Sequence, residues 1–124
     1  MDLASIRIIT HDVDRLARFY ETVTGMPATR PAPVFAELRT PAGTLAIADT
    51  ATVKMLGTGA PVPGSNNTAI IEFLVADVDA VFARLRSGLD SVVLEPTTMP
   101  WGNRSVLFRD PDGNLVNLFS RPAG

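Results

Sequence analysis

The sequence predicts an α+β fold made of two βαβββ modules, and two repeats inside the chain are what predict it. Asp12-Val13-Asp14 returns 65 positions later as Asp77-Val78-Asp79. Arg39-Thr40-Pro41-Ala42-Gly43-Thr44-Leu45 is answered 70 positions later by Arg109-Asp110-Pro111-Asp112-Gly113-Asn114-Leu115. Either match alone is within reach of chance. Their order, their near-equal offsets and the same run of elements around each point to an internal duplication.

Module one begins with a β-rich stretch from Ser5 to Thr10. Asp12 then caps a helix, because a short carboxylate accepts from the free N–H groups of a first turn. Val13, Leu16, Phe19, Tyr20 and Val23 recur behind it at helical spacing, and Gly25 ends the run. A short strand is expected near residues 28–30, followed by a hairpin with arms 34–40 and 44–49. Its Pro-x-Gly bend is read as a turn in which glycine supplies a positive φ.

Module two repeats the plan: a strand over 70–75, then a helix capped by Asp77 with Val78, Val81, Phe82 and Leu85 on its apolar stripe and Gly88 closing it. A short strand near 92–94 and a hairpin with arms 104–109 and 115–120 complete it. Between the modules, Gly57, Gly59, Pro61, Pro63, Gly64 and Ser65-Asn66-Asn67 have the composition of a linker, with one helical turn expected over Val53 to Leu56. The expected organisation is a single domain over 1–124, with module one at 1–49, linker at 50–67 and module two at 68–124.

Composition narrows the function classes. A chain of 124 residues fits one domain. With 46% apolar and 19% charged residues, it has the makings of an ordinary core and not of a disordered segment. A formal net charge of −2 with interspersed signs offers no basic stripe for phosphate, so no nucleic-acid partner is expected. The absence of cysteine excludes a disulfide framework, a thiolate metal site and a cysteine nucleophile. Met1-Asp2-Leu3 lacks the charged-then-apolar plan of a signal peptide, and no apolar run approaches the roughly 20 residues of a membrane span. A cytoplasmic protein without a membrane partner is the expectation.

Three segments resemble a known family. They are Asp12-Val-Asp-Arg-Leu-Ala-Arg-Phe-Tyr20 followed by Gly25, Ala76-Asp-Val-Asp79, and the run from Pro100 through Arg109-Asp110-Pro111-Asp112-Gly113-Asn114 to Phe119. Together they are similar to the glyoxalase/bleomycin resistance protein/dioxygenase (vicinal oxygen chelate) superfamily, over nearly the whole chain except the linker. That resemblance implies curved mixed sheets that together form a cleft, usually completed across a homodimer. It also implies, in the enzymes, a divalent metal held by His, Glu or Gln from four strands. The family's first-strand histidine lies seven residues before the capping aspartate, which falls on Ser5 and Ile70. Its last-strand carboxylate lies four residues after the turn glycine, which falls on Ile47 and Asn117. Ser5, Ile47, Ile70 and Asn117 do not supply the imidazole and carboxylate donors that such metals want. No metal and no cofactor are expected.

Period-2 alternation then assigns the face that such ligands would share. It gathers Ser5, Arg7 and Ile9; Leu45, Ile47 and Asp49; Ile70, Glu72 and Leu74; and Leu115, Asn117 and Phe119. Such a face, mostly apolar with a few polar groups, suits an organic ligand. Arg7 and Glu72 hold matching places, and two readings stay open. Glu72 is a base with Arg7 as an anion clamp, or the two form a structural ion pair. Trp101, beside the flexible Gly102, is a stacking platform for a planar ligand or a cap on the module core. His11 is a proton shuttle or a solvated residue beside a helix start.

The functional expectation is a metal-free small-molecule binding protein, a homodimer sequestering an antibiotic or another planar ligand through Trp101, Ser5, Arg7, Ile47, Ile70, Glu72, Asn117 and Phe119. The alternative is a lyase, isomerase or dioxygenase-like enzyme, metal-independent, with Glu72 and Arg7 as its catalytic residues.

Overall fold

A computed structural model describes residues 1–122. In chain order it contains β1 (Ile6–Thr10), α1 (Val13–Thr24), β2 (Thr29–Ala32), β3 (Phe35–Arg39) and β4 (Thr44–Asp49). After a 3-10 run over Thr50–Gly59 come β5 (Ile70–Leu74), α2 (Val78–Leu85), β6 (Val92–Thr98), β7 (Arg104–Arg109) and β8 (Leu115–Ser120). The chain divides into two units between Ser65 and Asn66. Each holds a four-stranded mixed sheet, ordered β1-β4-β3-β2 in the first and β5-β8-β7-β6 in the second. The α+β class and the two βαβββ modules are therefore as expected. No helix among the described residues is long and apolar enough to cross a membrane.

The helices start where their caps dictate. Asp12 and Asp77 each accept, at 3.1 Å, from the backbone N–H three residues on, Arg15 and Ala80. Gly25 ends α1 in the left-handed region, φ 71°, donating its N–H to Glu21 O. α2 closes differently from the expectation. Its α-helical part stops at Leu85 and a 3-10 turn carries the chain to Gly88.

Each helix covers one sheet face. In unit one Leu16, Ala17 and Tyr20 are completely buried, as are Ala36 and Ile47, with Leu38 at 1% exposure. In unit two the equivalent layer is Val78, Phe82 and Leu85 of α2 over Val106, Phe108, Val116 and Leu118. The 3-10 run is longer than the single turn expected. Asp49 caps it by accepting from Ala51 N at 2.8 Å, and Val53 packs against Ile9 and Ala48. The start of the expected linker is thus tied into unit one by burial.

Two strands outgrow their sequence signals. β2 runs through Pro31 and β6 through Pro96, and both are sheet edges, where a missing N–H breaks no ladder. The hairpin bends also differ from one another. Gly113 has φ 87°, as a left-handed turn glycine should, whereas Gly43 is not among the positive-φ glycines. Its bend is closed by Thr40, whose Oγ1 donates to Gly43 O at 2.7 Å and accepts from Gly43 N at 3.1 Å.

In unit two, Arg104 of β7 reaches Asp79 of α2 through two nitrogens, at 2.6 and 2.9 Å. That bond holds the Asp79 carboxyl below its ordinary value. A depressed carboxylate stabilises the fold above the unfolded value, near 4, and the contribution is lost as pH falls through the lower folded value. Asp79→Asn is expected to lower the melting temperature slightly at pH 7, and the difference from wild type is expected to shrink at pH 3, below the ordinary carboxylate value, as acid protonates the pair. Thermal melts at the two pH values check this.

Candidate functional site

Strand register decides which side chains can share a ligand face. In unit two, β8 lies between β5 and β7, and Glu72 pairs with Asn117, which pairs with Leu107. The row on one side is Ile70, Leu115 and Arg109; on the other it is Leu74, Phe119 and Ser105. These nine residues occupy the sheet face opposite α2. Ile70 and Leu74 are 48% and 54% exposed, Glu72 is exposed and Phe119 is half-buried. The expected grouping of Ile70, Glu72, Asn117 and Phe119 on one face is what the register shows.

In unit one the expected grouping needs correction. Arg7 pairs with Ala46, and Ala46 with Glu37. Ile47 pairs with Ile8 and Ala36 instead, on the face that packs α1, and is 0% exposed. Leu45 and Asp49 share that side with it. The cause is one residue of loop. Arg39 pairs with Thr44 across a four-residue bend, but Arg109 pairs with Leu115 across five. Counting from each glycine therefore places β4 one residue out of step, and one residue turns a strand over. Ala46, not Ile47, corresponds to Asn117. The sequence signal for this was available in the loop lengths, had the hairpin arms been aligned instead of the glycines.

Ile9, expected on the ligand face, does share that side with Arg7 but is buried beneath Val53 of the 3-10 run. Ser5 lies just before β1 and is exposed, as are Arg7 and His11. Glu37, which the sequence reading passed over, shares the face with Arg7 and binds Arg39 at 2.9 Å. Trp101 stands at the tip of the β6–β7 hairpin, 70% exposed. The tip is fastened by Met99 N to Asn103 O at 2.7 Å and by Gly102 N to Met99 O at 2.9 Å. Trp101 is thus neither a core cap nor seated among the paired strand residues.

The polar centre of the unit-two face is a carboxylate–amide pair. Asn117 Nδ2 donates to Glu72 Oε2 at 2.9 Å, and Asn117 Oδ1 is buried with no hydrogen-bond partner among the described residues. The amide therefore already occupies one oxygen of the carboxylate that a proton-abstracting glutamate would use. The donor set does not fit the family's metal. The four corresponding positions hold Ser5, Ala46, Ile70 and Asn117, and the adjacent Glu72 is a single carboxylate. Among the described residues, no three His, Cys, Asp or Glu side chains cluster as metal ligands do.

A separate groove in unit one, lined by Val13, Asp14, Arg30, Ala32 and Pro33, was not foreseen. Its one cation is already engaged, since Arg30 binds Glu21 at 3.1 Å and Asp14 at 3.5 Å. The Glu21 carboxyl is held below its ordinary value chiefly by that Arg30 bond. The groove's charges close on one another and leave little for a ligand.

Comparison with solved structures gives full-length matches. A glyoxalase/bleomycin resistance protein/dioxygenase from Nocardioides is 25% identical with a TM-score of 0.78, covering 100% of this chain and 85% of that one. A family enzyme from Burkholderia phytofirmans PsJN, 18% identical, superposes with a TM-score of 0.84 over 97% of this chain and 98% of its own. A lactoylglutathione lyase from Agrobacterium tumefaciens, 22% identical, gives 0.73 over 96% and 92%. The latter two speak for the fold alone. No curated protein matches the sequence. The sequence model of the Glyoxalase/Bleomycin resistance protein/Dioxygenase superfamily matches residues 2–118, and the chain belongs to that superfamily.

Proposed function

We propose that this protein binds a small organic molecule without metal, sequestering an antibiotic or another planar ligand on the open face of β5 and β8. The observation that carries the reading is the identity of the four ligand positions. Ser5, Ala46, Ile70 and Asn117 replace imidazole and carboxylate donors with a hydroxyl, two apolar groups and an amide. What remains in unit two is a mainly apolar strand face that carries the Glu72–Asn117 pair, with Ser105 and Arg109 along its β7 side, the make-up of an organic-ligand site. Trp101, exposed at its hairpin tip, is the stacking residue of this proposal. The proposal includes a homodimer working in the cytoplasm.

Thermal shift separates this from metal chemistry. A ligand at about a hundred times its dissociation constant adds roughly 2.7 kcal/mol of stability. Planar aromatic compounds are expected to raise the melting temperature, and Mn²⁺, Ni²⁺, Zn²⁺ and Fe²⁺ are not. Stabilisation by a metal alone would overturn the reading.

A second reading makes the protein a metal-independent lyase or isomerase with Glu72 as base and Arg7 as oxyanion clamp. It is favoured by the exposure of both side chains, each on the sheet face opposite the α-helix of its own unit. It is opposed by the Asn117 hydrogen bond. Under it, Glu72→Gln abolishes turnover of a bound compound and leaves the melting temperature unchanged.

A further inference from the structure

The open face of unit two carries two opposite charges at diagonal corners, and neither is neutralised there. Glu72 pairs with Asn117, and Arg109 pairs with Leu115, so the two stand on β5 and β7 with β8 between them. Two strand spacings of about 4.8 Å and two residues of about 3.4 Å rise put their Cα atoms about 12 Å apart. Both side chains are exposed, and among the described residues neither enters an ion pair. Arg104 and Arg86 of the same unit, by contrast, are bound by Asp79 and Glu95. Each free charge is steadied by a neutral neighbour that leaves it in place. Asn117 Nδ2 donates to Glu72 Oε2 at 2.9 Å, and Arg109 Nη1 donates to Gly113 O at 3.0 Å. The second bond draws the guanidinium toward the β7–β8 bend, away from Glu72. The uncharged corners are Ile70 and Leu107, with Leu115 beside them on the middle strand.

We infer that the ligand of this face is dipolar: a planar apolar body with a cationic group at the Glu72 end and a carboxylate or similar anion at the Arg109 end. The inference rests on the sequestration reading and names the chemical class of its ligand. Glu72 keeps a second carboxylate oxygen for a donor, and Arg109 keeps its remaining N–H groups for an acceptor. About 12 Å exceeds the roughly 8 Å screening length of physiological salt, so the two charges act on a ligand as separate ends. A purely cationic ligand serves Glu72 and leaves Arg109 unused, and a purely anionic one does the reverse. Only a molecule charged oppositely at its two ends uses both, while its body lies over Ile70, Leu115 and Leu107.

Probes two rings long test this by calorimetric titration into the full chain: 4′-amidinobiphenyl-4-carboxylate, biphenyl-4-carboxamidine and biphenyl-4-carboxylate. The doubly charged probe is expected to bind about tenfold tighter than either singly charged one, the scale of one added charge-assisted hydrogen bond. Arg109→Gln is expected to remove its advantage over the amidine, and Glu72→Gln its advantage over the carboxylate. Arg109→Gln also gives up the bond to the bend, so a second variant keeps the test independent of that loss. Glu72→Lys, at an exposed position and checked for folding by its thermal melt, is expected to make biphenyl-4,4′-dicarboxylate the tightest of the four. If the doubly charged probe gains nothing over the others in wild type, or if the order persists in Glu72→Lys, the dipolar assignment is wrong while the sequestration reading stands. If none of the probes binds, the sequestration reading falls and takes this inference with it.

Discussion

Ile47→Ala is expected to lower the unfolding free energy by about 2–5 kcal/mol, the range for truncating a fully buried aliphatic side chain. Ile47 is 0% exposed and stands between Ile8 and Ala36 in the layer that faces α1. Ala36 is small and Leu38, two residues along, is itself buried, so few neighbours can move into the space. Urea denaturation with an unchanged m-value would register the loss as stability alone. Arg7→Ala is the internal control. Arg7 lies on the opposite face and is exposed, so its truncation should stay within about 0.5 kcal/mol. A near-neutral Ile47→Ala would mean that the register of β4 described above is wrong and that Ile47 faces the ligand side after all.

That single position shows what the sequence could and could not say. The two modules were legible because capping aspartates, apolar stripes and turn residues are local signals, and the duplication let each copy check the other. Which way β4 faces was not a local matter. It depends on how many residues the hairpin bend spends, four in one copy and five in the other, and on Thr40 closing the shorter bend with its hydroxyl. The corrected register leaves the donor set as unsuited to a metal as before, because Ala46 is as poor a ligand as Ile47. In unit two the same counting rule gives the right face and brings Glu72 and Asn117 together, as the register does. What no spacing could reveal was the direction of that contact: the amide nitrogen turned to the carboxylate, and its oxygen left without a donor. The edge strands were under-read for a related reason. Pro31 and Pro96 count as breakers in sequence, and only the strand order shows that they stand where a missing N–H does no harm.

Gly102→Val is expected to be the most damaging change at the candidate stacking residue, although it leaves Trp101 itself in place. Gly102 has φ 101°, a conformation that costs a residue with a side chain about 1–3 kcal/mol. A Cβ there would also stand 2.9 Å from Pro122 Cγ, too close for either to remain where it is. The two costs can be separated. Gly102→Ala with Pro122→Ala should recover the part due to the contact and none of the part due to the backbone, so the double variant stays below Pro122→Ala alone by about 1–3 kcal/mol. Ligand affinity supplies the functional half of the test. Gly102 N holds the tip by donating to Met99 O at 2.9 Å, and a side chain that forces φ away from 101° must rotate that N–H and the indole beside it. Under the sequestration reading, Gly102→Ala therefore weakens the binding of a planar aromatic compound even at temperatures where the variant is fully folded. A Gly102→Ala variant that is destabilised but binds as wild type would show that Trp101 takes no part in the site, and would confine the ligand to the strand face around Glu72 and Asn117.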